Sequence, residues 1–283
     1  MNPADRARAD TVLQPETAWI CSTCGVQFAP QAQTPDGCPV CLDARQYVGW
    51  QGQTWTSTGT LNARHHVHFE DCAGVTTLVS RPSFAIGQRA FLVPSGRSLV
   101  MWECLSHVTD EALSRLAALG GVQAMAVSHP HFYAAMVDWS DALGGIPIYL
   151  HAADRRWVQR RSPAIRFWDG DRHVLSDSLE LVHLPGHFEG STGLWWKDGP
   201  RAGGSLFPGD ALQVATDRRF ATFMYSYPNH IPLGPTALRR LEAAVARLDF
   251  DDLYGFAPGR QIVGDARARV AVSFDRYRAA ITA

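Results

Sequence analysis

Lysine is nearly missing from this sequence: Lys197 is the only one, and arginine spread along the chain carries the rest of the cationic charge. Net charge is also missing, with 26 basic residues against 27 acidic ones. That balance argues against any partner held by bulk charge, so neither nucleic acid nor an anionic membrane surface is expected. No apolar run approaches the roughly 18 residues that a membrane-spanning helix needs. The opening segment MNPADRARAD has no apolar stretch of the secretory kind, which points to a cytoplasmic protein. Repeats and low-complexity tracts are absent. Six cysteines in 283 residues are too few for a disulfide scaffold. Yet 46% of the residues are hydrophobic and only 19% charged, so the chain can bury a large core and is no disordered segment.

What the sequence does have is soft metal ligands, the six cysteines and eleven histidines. Cys21 and Cys24 form one C-x-x-C pair, Cys38 and Cys41 another, with 13 residues between them. Two such knuckles can close four thiolates into a tetrahedron, with metal–sulfur distances of about 2.3 Å. Gly25 and Pro39 suit the tight turns. The segment resembles a zinc ribbon or a rubredoxin-type knuckle pair. Zinc is expected, and iron fits the same four thiolates. Paired disulfides would instead need an oxidising compartment. A closed four-cysteine site has no open position and reads as structural. Cys72 and Cys104 have no partner at metal spacing and read as small buried hydrophobes. Residues 1–57 are assigned to this module, with a loose lead-in over the first 18 residues, and 58–283 to a second domain.

The second domain alternates strand and helix signals. RAFLV and SLVMW flank PSGR as a hairpin. Thr109 caps a helix over 110–119 that ends before Gly120 and Gly121. VQAMAV, IPIYLH, SLELVHL, TGLWW and GSLFPGD read as strands. Helices are expected over 133–143, 236–248 and 265–281. Strands in hairpins followed by strand–helix alternation predict helices packed outside a layered sheet.

Three strand ends carry the chemistry. VQAMAV runs into Ser128-His129-Pro130-His131, LELVHL into Pro185-Gly186-His187, and SLF into Pro208-Gly209-Asp210. Strand ends of layered α/β folds converge on one crevice. Three histidines and an aspartate make a reasonable zinc set. In order and spacing these segments resemble the metallo-β-lactamase superfamily, over about residues 58–283. The resemblance implies an α/β (α+β) fold, a four-layer αβ/βα sandwich with the metal site at one edge. It also implies hydrolysis of an ester, amide or phosphoester by a hydroxide held on metal.

The departures from that family's H-x-H-x-D-H pattern are grouped. Tyr133 stands where an aspartate is usual, Ala134 where a histidine is usual, and Arg260 aligns with the late histidine. The residues lost are those that build the family's second metal site. The expectation is one metal at the histidine site, zinc or another divalent ion, held by His129, His131 and His187 with Asp210 as fourth ligand or base. Tyr133 could hydrogen-bond a substrate oxygen. Arg260, His230 and His151 are the candidate contacts for a small-molecule substrate, and Arg260 suits an anionic one. Glu103 stands at an earlier strand end. His65, His66 and His68 read as an ordinary strand face. The alternative is a non-catalytic zinc protein that keeps the fold as a scaffold and docks a partner through the ribbon. A redox reading, with a rubredoxin-like iron beside a lactamase-like domain, lacks the di-iron ligands.

Overall fold

The computed structural model describes residues 16–282. Most of the loose lead-in expected at the N-terminus lies outside the described residues. In the cysteine module, β1 (Ile20–Cys21) pairs with β2 (Trp55–Thr56), and α1 (Pro39–Leu42) starts on a proline beside the second knuckle. A short helix α2 (Thr58–Asn62), capped by Ser57, leads into the first large sheet.

That sheet has seven strands in sequence order: β3 (His66–Cys72), β4 (Val75–Arg81), β5 (Arg89–Ser95), β6 (Ser98–Trp102), β7 (Val122–Ala126), β8 (Ile148–His151) and β9 (Ile165–Trp168). The first four pair antiparallel in sequence order, with two-residue turns joining β3 to β4 and β5 to β6. From β6 onward the pairing is parallel, and α3 (Asp110–Ala118) and α4 (Met136–Ala142) supply the crossovers that parallel strands require. Thr109 accepts from the Ala112 N–H and caps α3 as its sequence predicts.

The second sheet has the order β10 (Arg172–Val174), β11 (Leu179–His183), β12 (Thr192–Trp196), β13 (Ser205–Phe207), β18 (Asp252–Tyr254) and β19 (Gln261–Ile262). Between β13 and the last two strands lie two small hairpins and a helix. These are β14 (Gln213–Val214) with β15 (Ala221–Thr222), β16 (Met224–Ser226) with β17 (Ile231–Pro232), and α5 (Pro235–Val245). Then β18 (Asp252–Tyr254), β19 (Gln261–Ile262) and α6 (Ala266–Thr282) complete the chain.

Three apolar clusters set the layers. Phe91, Trp102, Leu181, Leu194, Phe207 and Tyr254 fill the space between the sheets. Leu238 and Leu241 of α5 join Val270 and Phe274 of α6 outside the second sheet. Leu116 of α3, Trp139 of α4 and all four cysteines of the module share the cluster outside the first sheet. Helices therefore flank two face-to-face sheets, the αβ/βα sandwich. Among the described residues no helix is long and apolar enough to cross a membrane.

One helix differs from its sequence signal. The pattern predicts a start at 133, but Pro130–Phe132 forms a single 3-10 turn and α4 begins only at Met136. Ala134 between them has φ +41°, a left-handed conformation that no regular helix accepts. Its carbonyl accepts from the Gln27 N–H of the cysteine module at 3.0 Å, so a long-range contact outweighs the local preference.

Candidate metal centres

The four cysteine sulfurs are buried and unpaired by disulfides. Four thiolates around one zinc lie about 3.8 Å apart when each metal–sulfur bond is about 2.3 Å. Here Cys21 Sγ is 3.6 Å from Cys41 Sγ, and Cys24 Sγ is 3.7 Å from Cys38 Sγ. The spacing fits an ion. Gln53 Nε2 donates to Cys21 Sγ at 2.9 Å, as a donor to a thiolate would. Hydrogen bonds from the neighbouring thiols lower the pKa of Cys21, whereas burial pushes the Cys24 thiol up. Four buried thiolates need a cation to ionise together. Gly25, at φ +80°, makes the first knuckle fit: a Cβ there would lie 2.3 Å from Ser106 Oγ on the loop after β6. Cys72 and Cys104 are also buried, away from this cluster.

The second cluster sits where three strands end. His129 and His131 follow β7, His187 follows β11 and Asp210 follows β13. Their exposures are only 1%, 2%, 1% and 6%. Four donors about 2.1 Å from one ion lie about 3.4 Å apart. Asp210 Oδ2 is 3.5 Å from His129 Nε2 and 3.9 Å from His187 Nε2, and His187 Nε2 is 3.4 Å from His131 Nδ1. One donor from each residue lies within 4.8 Å of all the others. His129 Nε2 is buried with no protein hydrogen-bond partner among the described residues, as a ligand atom waiting for a cation would be. The residues present therefore fit a four-coordinate metal at both clusters.

Outer contacts aim these donors. Ser128 Oγ meets His129 Nδ1 at 2.7 Å and leaves Nε2 facing inward. His187 Nδ1 meets the Met224 carbonyl at 3.1 Å, with the same effect. Gln213 Nε2 donates to Asp210 Oδ1 at 3.0 Å, so Oδ2 is the oxygen turned toward the imidazoles. Such contacts fix ring orientation and ligand basicity. Burial pushes His187 down to about 3 and holds His131 well below the ordinary imidazole value, so both keep a free lone pair at neutral pH. Burial alone would raise the Asp210 carboxyl, but His129, His187 and Gln213 hold it below its usual range.

Glu103 lies just beyond β6 with its Oε2 accepting from the Ser128 N–H at 3.1 Å. Its Oε1 is buried with no partner among the described residues, and burial raises its carboxyl to about 8. Burial thus favours the neutral acid in the folded chain, whereas the unfolded chain ionises near 4.5. Between those values the folded state holds the extra proton, so stability falls as pH rises from about 4.5 to about 8. A tenfold difference in proton affinity between folded and unfolded chain is worth about 1.4 kcal/mol, so the full loss is on the order of a few kcal/mol. Glu103→Gln should remove that slope. Calorimetry from pH 5 to 9 should show the two proteins diverging as pH rises. Parallel curves would mean that Glu103 ionises normally.

The other candidates are placed elsewhere. Tyr133 is 2% exposed and packs in the cluster outside the first sheet, and burial raises its pKa well above the ordinary phenol value. The ring packs there at the end of the 3-10 turn, before α4 begins. His151 stacks on His183 with centroids 4.2 Å apart, its Nδ1 accepts from the Ala153 N–H, and its Nε2 meets the Gly170 carbonyl. Both ring nitrogens are thus engaged within the fold. His230 is exposed at the turn between β16 and β17, at φ +55°, outside the four-donor cluster. Arg260 lines a cavity of about 470 Å³ together with Gln213, Thr222, Phe256 and Ala257. Gln213 thus touches both that cavity and Asp210. His66 and His68 face solvent.

Two contributors carry no local signal in the sequence. Arg45, 3% exposed, comes from just after the second knuckle and lies 3.8 Å over the Phe188 ring. Gln88, 4% exposed, lies between the first knuckle and the His131 loop.

Comparison with known proteins agrees with this fold. No protein-family model matches the chain. Among solved structures, VMB-1 superposes with a TM-score of 0.56 at 14% identity, over 76% of this chain and 98% of that one. The DIM-1 metallo-β-lactamase gives 0.52 at 14%, again over 76% and 98%. A B3 metallo-β-lactamase with an active-site glutamic acid gives 0.50 at 17%, over 73% and 86%. At these identities the likeness establishes the fold. A sequence relative is much nearer: the uncharacterized protein YmaE of Bacillus subtilis (strain 168) is 38% identical over 239 residues, 83% of this chain and 87% of YmaE. The chain belongs to the same family as YmaE and has the metallo-β-lactamase fold, preceded by a four-cysteine module.

Proposed function

We propose that the chain is a metal-dependent hydrolase with one metal at its histidine site. The observation that carries this reading is the convergence of three imidazoles and one carboxylate, all buried, with one donor atom from each within 4.8 Å of the others. A zinc ion bound there supplies a Lewis acid and lowers the pKa of a water toward about 7. The protein's own residues do the rest. Ser128 and the Met224 carbonyl keep two imidazoles in ligand orientation. Gln213 holds one oxygen of Asp210, so the other can either ligate or take a proton from water. Arg260 offers a cation on the wall of the adjoining cavity, which suits a carboxylate or phosphate on the substrate. The substrate class is a small ester, amide or phosphoester bearing an anionic group. Tyr133, Ala134 and Arg260 stand where the family pattern has second-site ligands, and an arginine offers no lone pair to a metal. Zinc suits the four-thiolate site as well, in a reducing compartment where free thiolates persist.

One observation favours a second reading. All four residues of the histidine cluster are at most 6% exposed, as in a structural site whose metal supports a scaffold. One experiment separates the two. The metal-loaded protein is screened against generic esters, lactones and phosphodiesters, with and without chelator. Chelator-sensitive turnover is the expected result. Two bound metals per chain with no turnover on any class would favour the scaffold.

A further inference from the structure

The cysteine module touches both loops that carry the histidine ligands. On one side, Gln88 Nε2 donates to the Cys24 carbonyl at 2.5 Å and to the His131 carbonyl at 3.1 Å. One amide group thus ties the first knuckle to the second histidine ligand. The Gln27 N–H donates to Ala134, three residues beyond His131, and Ser106 Oγ donates to Gly25. On the other side, Asp43 grips Arg45 through two hydrogen bonds of 2.6 and 2.9 Å, and Arg45 Nη1 reaches the His187 carbonyl at 3.3 Å. The same guanidinium lies over the Phe188 ring. Ser226 Oγ donates to the Arg45 carbonyl, and Asn229 donates to those of Ala44 and Gln46. These bonds hold the segment after the second knuckle against the strand whose Met224 carbonyl orients His187.

We propose that the four-cysteine site and the histidine site are one coupled unit, with Gln88 and Arg45 as the positioning residues that connect them. An ion in the cysteine site fixes the two knuckles relative to each other. The knuckles, through Gln88 and Arg45, fix the His131 and His187 loops at ligand spacing. The histidine site then loses less conformational entropy when it binds its ion, which raises its affinity. Linkage makes the effect reciprocal: an ion at the histidine site raises the affinity of the cysteine site by the same factor. The inference rests on the reading that both clusters hold metal.

The test uses the full chain loaded with cobalt, whose thiolate and imidazole sites absorb differently, so a chelator titration reads each site separately. Arg45→Ala and Gln88→Ala should each weaken the histidine site about tenfold or more, since losing an outer partner of a ligand typically costs 10- to 100-fold in metal affinity. Arg45→Lys keeps the charge but loses the bidentate fork, and should fall between wild type and alanine. It also reports should the alanine protein fail to fold. A purely structural role predicts no coupling, and a cycle reads the coupling directly. His129→Ala should loosen cobalt at the cysteine site in the otherwise wild-type chain, and should do so much less when Arg45→Ala is already present. Equal loosening in both backgrounds, or wild-type release from Arg45→Ala, Gln88→Ala and Arg45→Lys alike, overturns the proposal. A wild-type chain that binds no cobalt at the histidine site overturns this proposal and the hydrolase reading together. Independent release from two well-occupied sites overturns this one alone.

Discussion

Cys24→Ser should cost the chain one metal and lower its thermal midpoint by roughly 10 °C or more. Structural zinc contributes about 10–16 kcal/mol to small modules that have little else to hold them. Here the sulfurs lie in a larger apolar cluster that includes Leu116 and Trp139, so only part of that energy is at stake. A loss of several kcal/mol still matters, because about 1 kcal/mol moves the midpoint of a large domain by 2–4 °C. Serine adds a second cost: it leaves a hydroxyl in a position that is 0% exposed. Metal analysis with calorimetry checks the result. Full metal content together with an unchanged midpoint would show that the sulfurs hold no ion.

Asp210→Asn should lower turnover on any substrate found by roughly 10²- to 10⁴-fold, the range typical of a lost acid–base group. The substitution keeps the volume and can keep the hydrogen bond to Gln213. It removes the charge that Oδ2 presents to His129 and His187. Three imidazoles should still retain the ion, so metal content should change much less than turnover. Steady-state kinetics beside metal analysis reads that split. Wild-type turnover in the asparagine protein would exclude Asp210 as base and as an essential ligand.

The histidine ligands are legible in the sequence because each stands at the end of an apolar strand, within a few residues of its own turn signal. Short-range patterns also mark the hairpin of β5 and β6 and the cap of α3. Arg45 is not legible. Its contact with His187 spans 142 positions, and nothing near Arg45 marks it as different from any other arginine. Gln88 is hidden for the same reason. His151 and His230 stand close to a strand tip and to a ligand loop, and neither belongs to the four-donor cluster. The strand tip at His151 turns into a 3-10 segment that the ring caps, and the turn at His230 leaves its residue exposed to solvent. The resemblance sets Tyr133 against a ligand position; in the fold Ala134, in its left-handed conformation, ends the local turn and the phenol ring packs into the core.

The shared cluster outside the first sheet bears on how this protein can be inherited. Cys24, Val40 and Phe28 complete a core whose other half comes from Leu105, Met136 and Trp139. A module that completes another segment's core cannot be gained or lost at little cost, unlike a bead on a string. Deleting it would bare apolar surface along α4 and leave the Ala134 carbonyl without its donor. Descendants of such a chain should therefore keep or lose the cysteines and the histidine loops together. Gene fusion and fission at this junction should be rarer than at an ordinary linker.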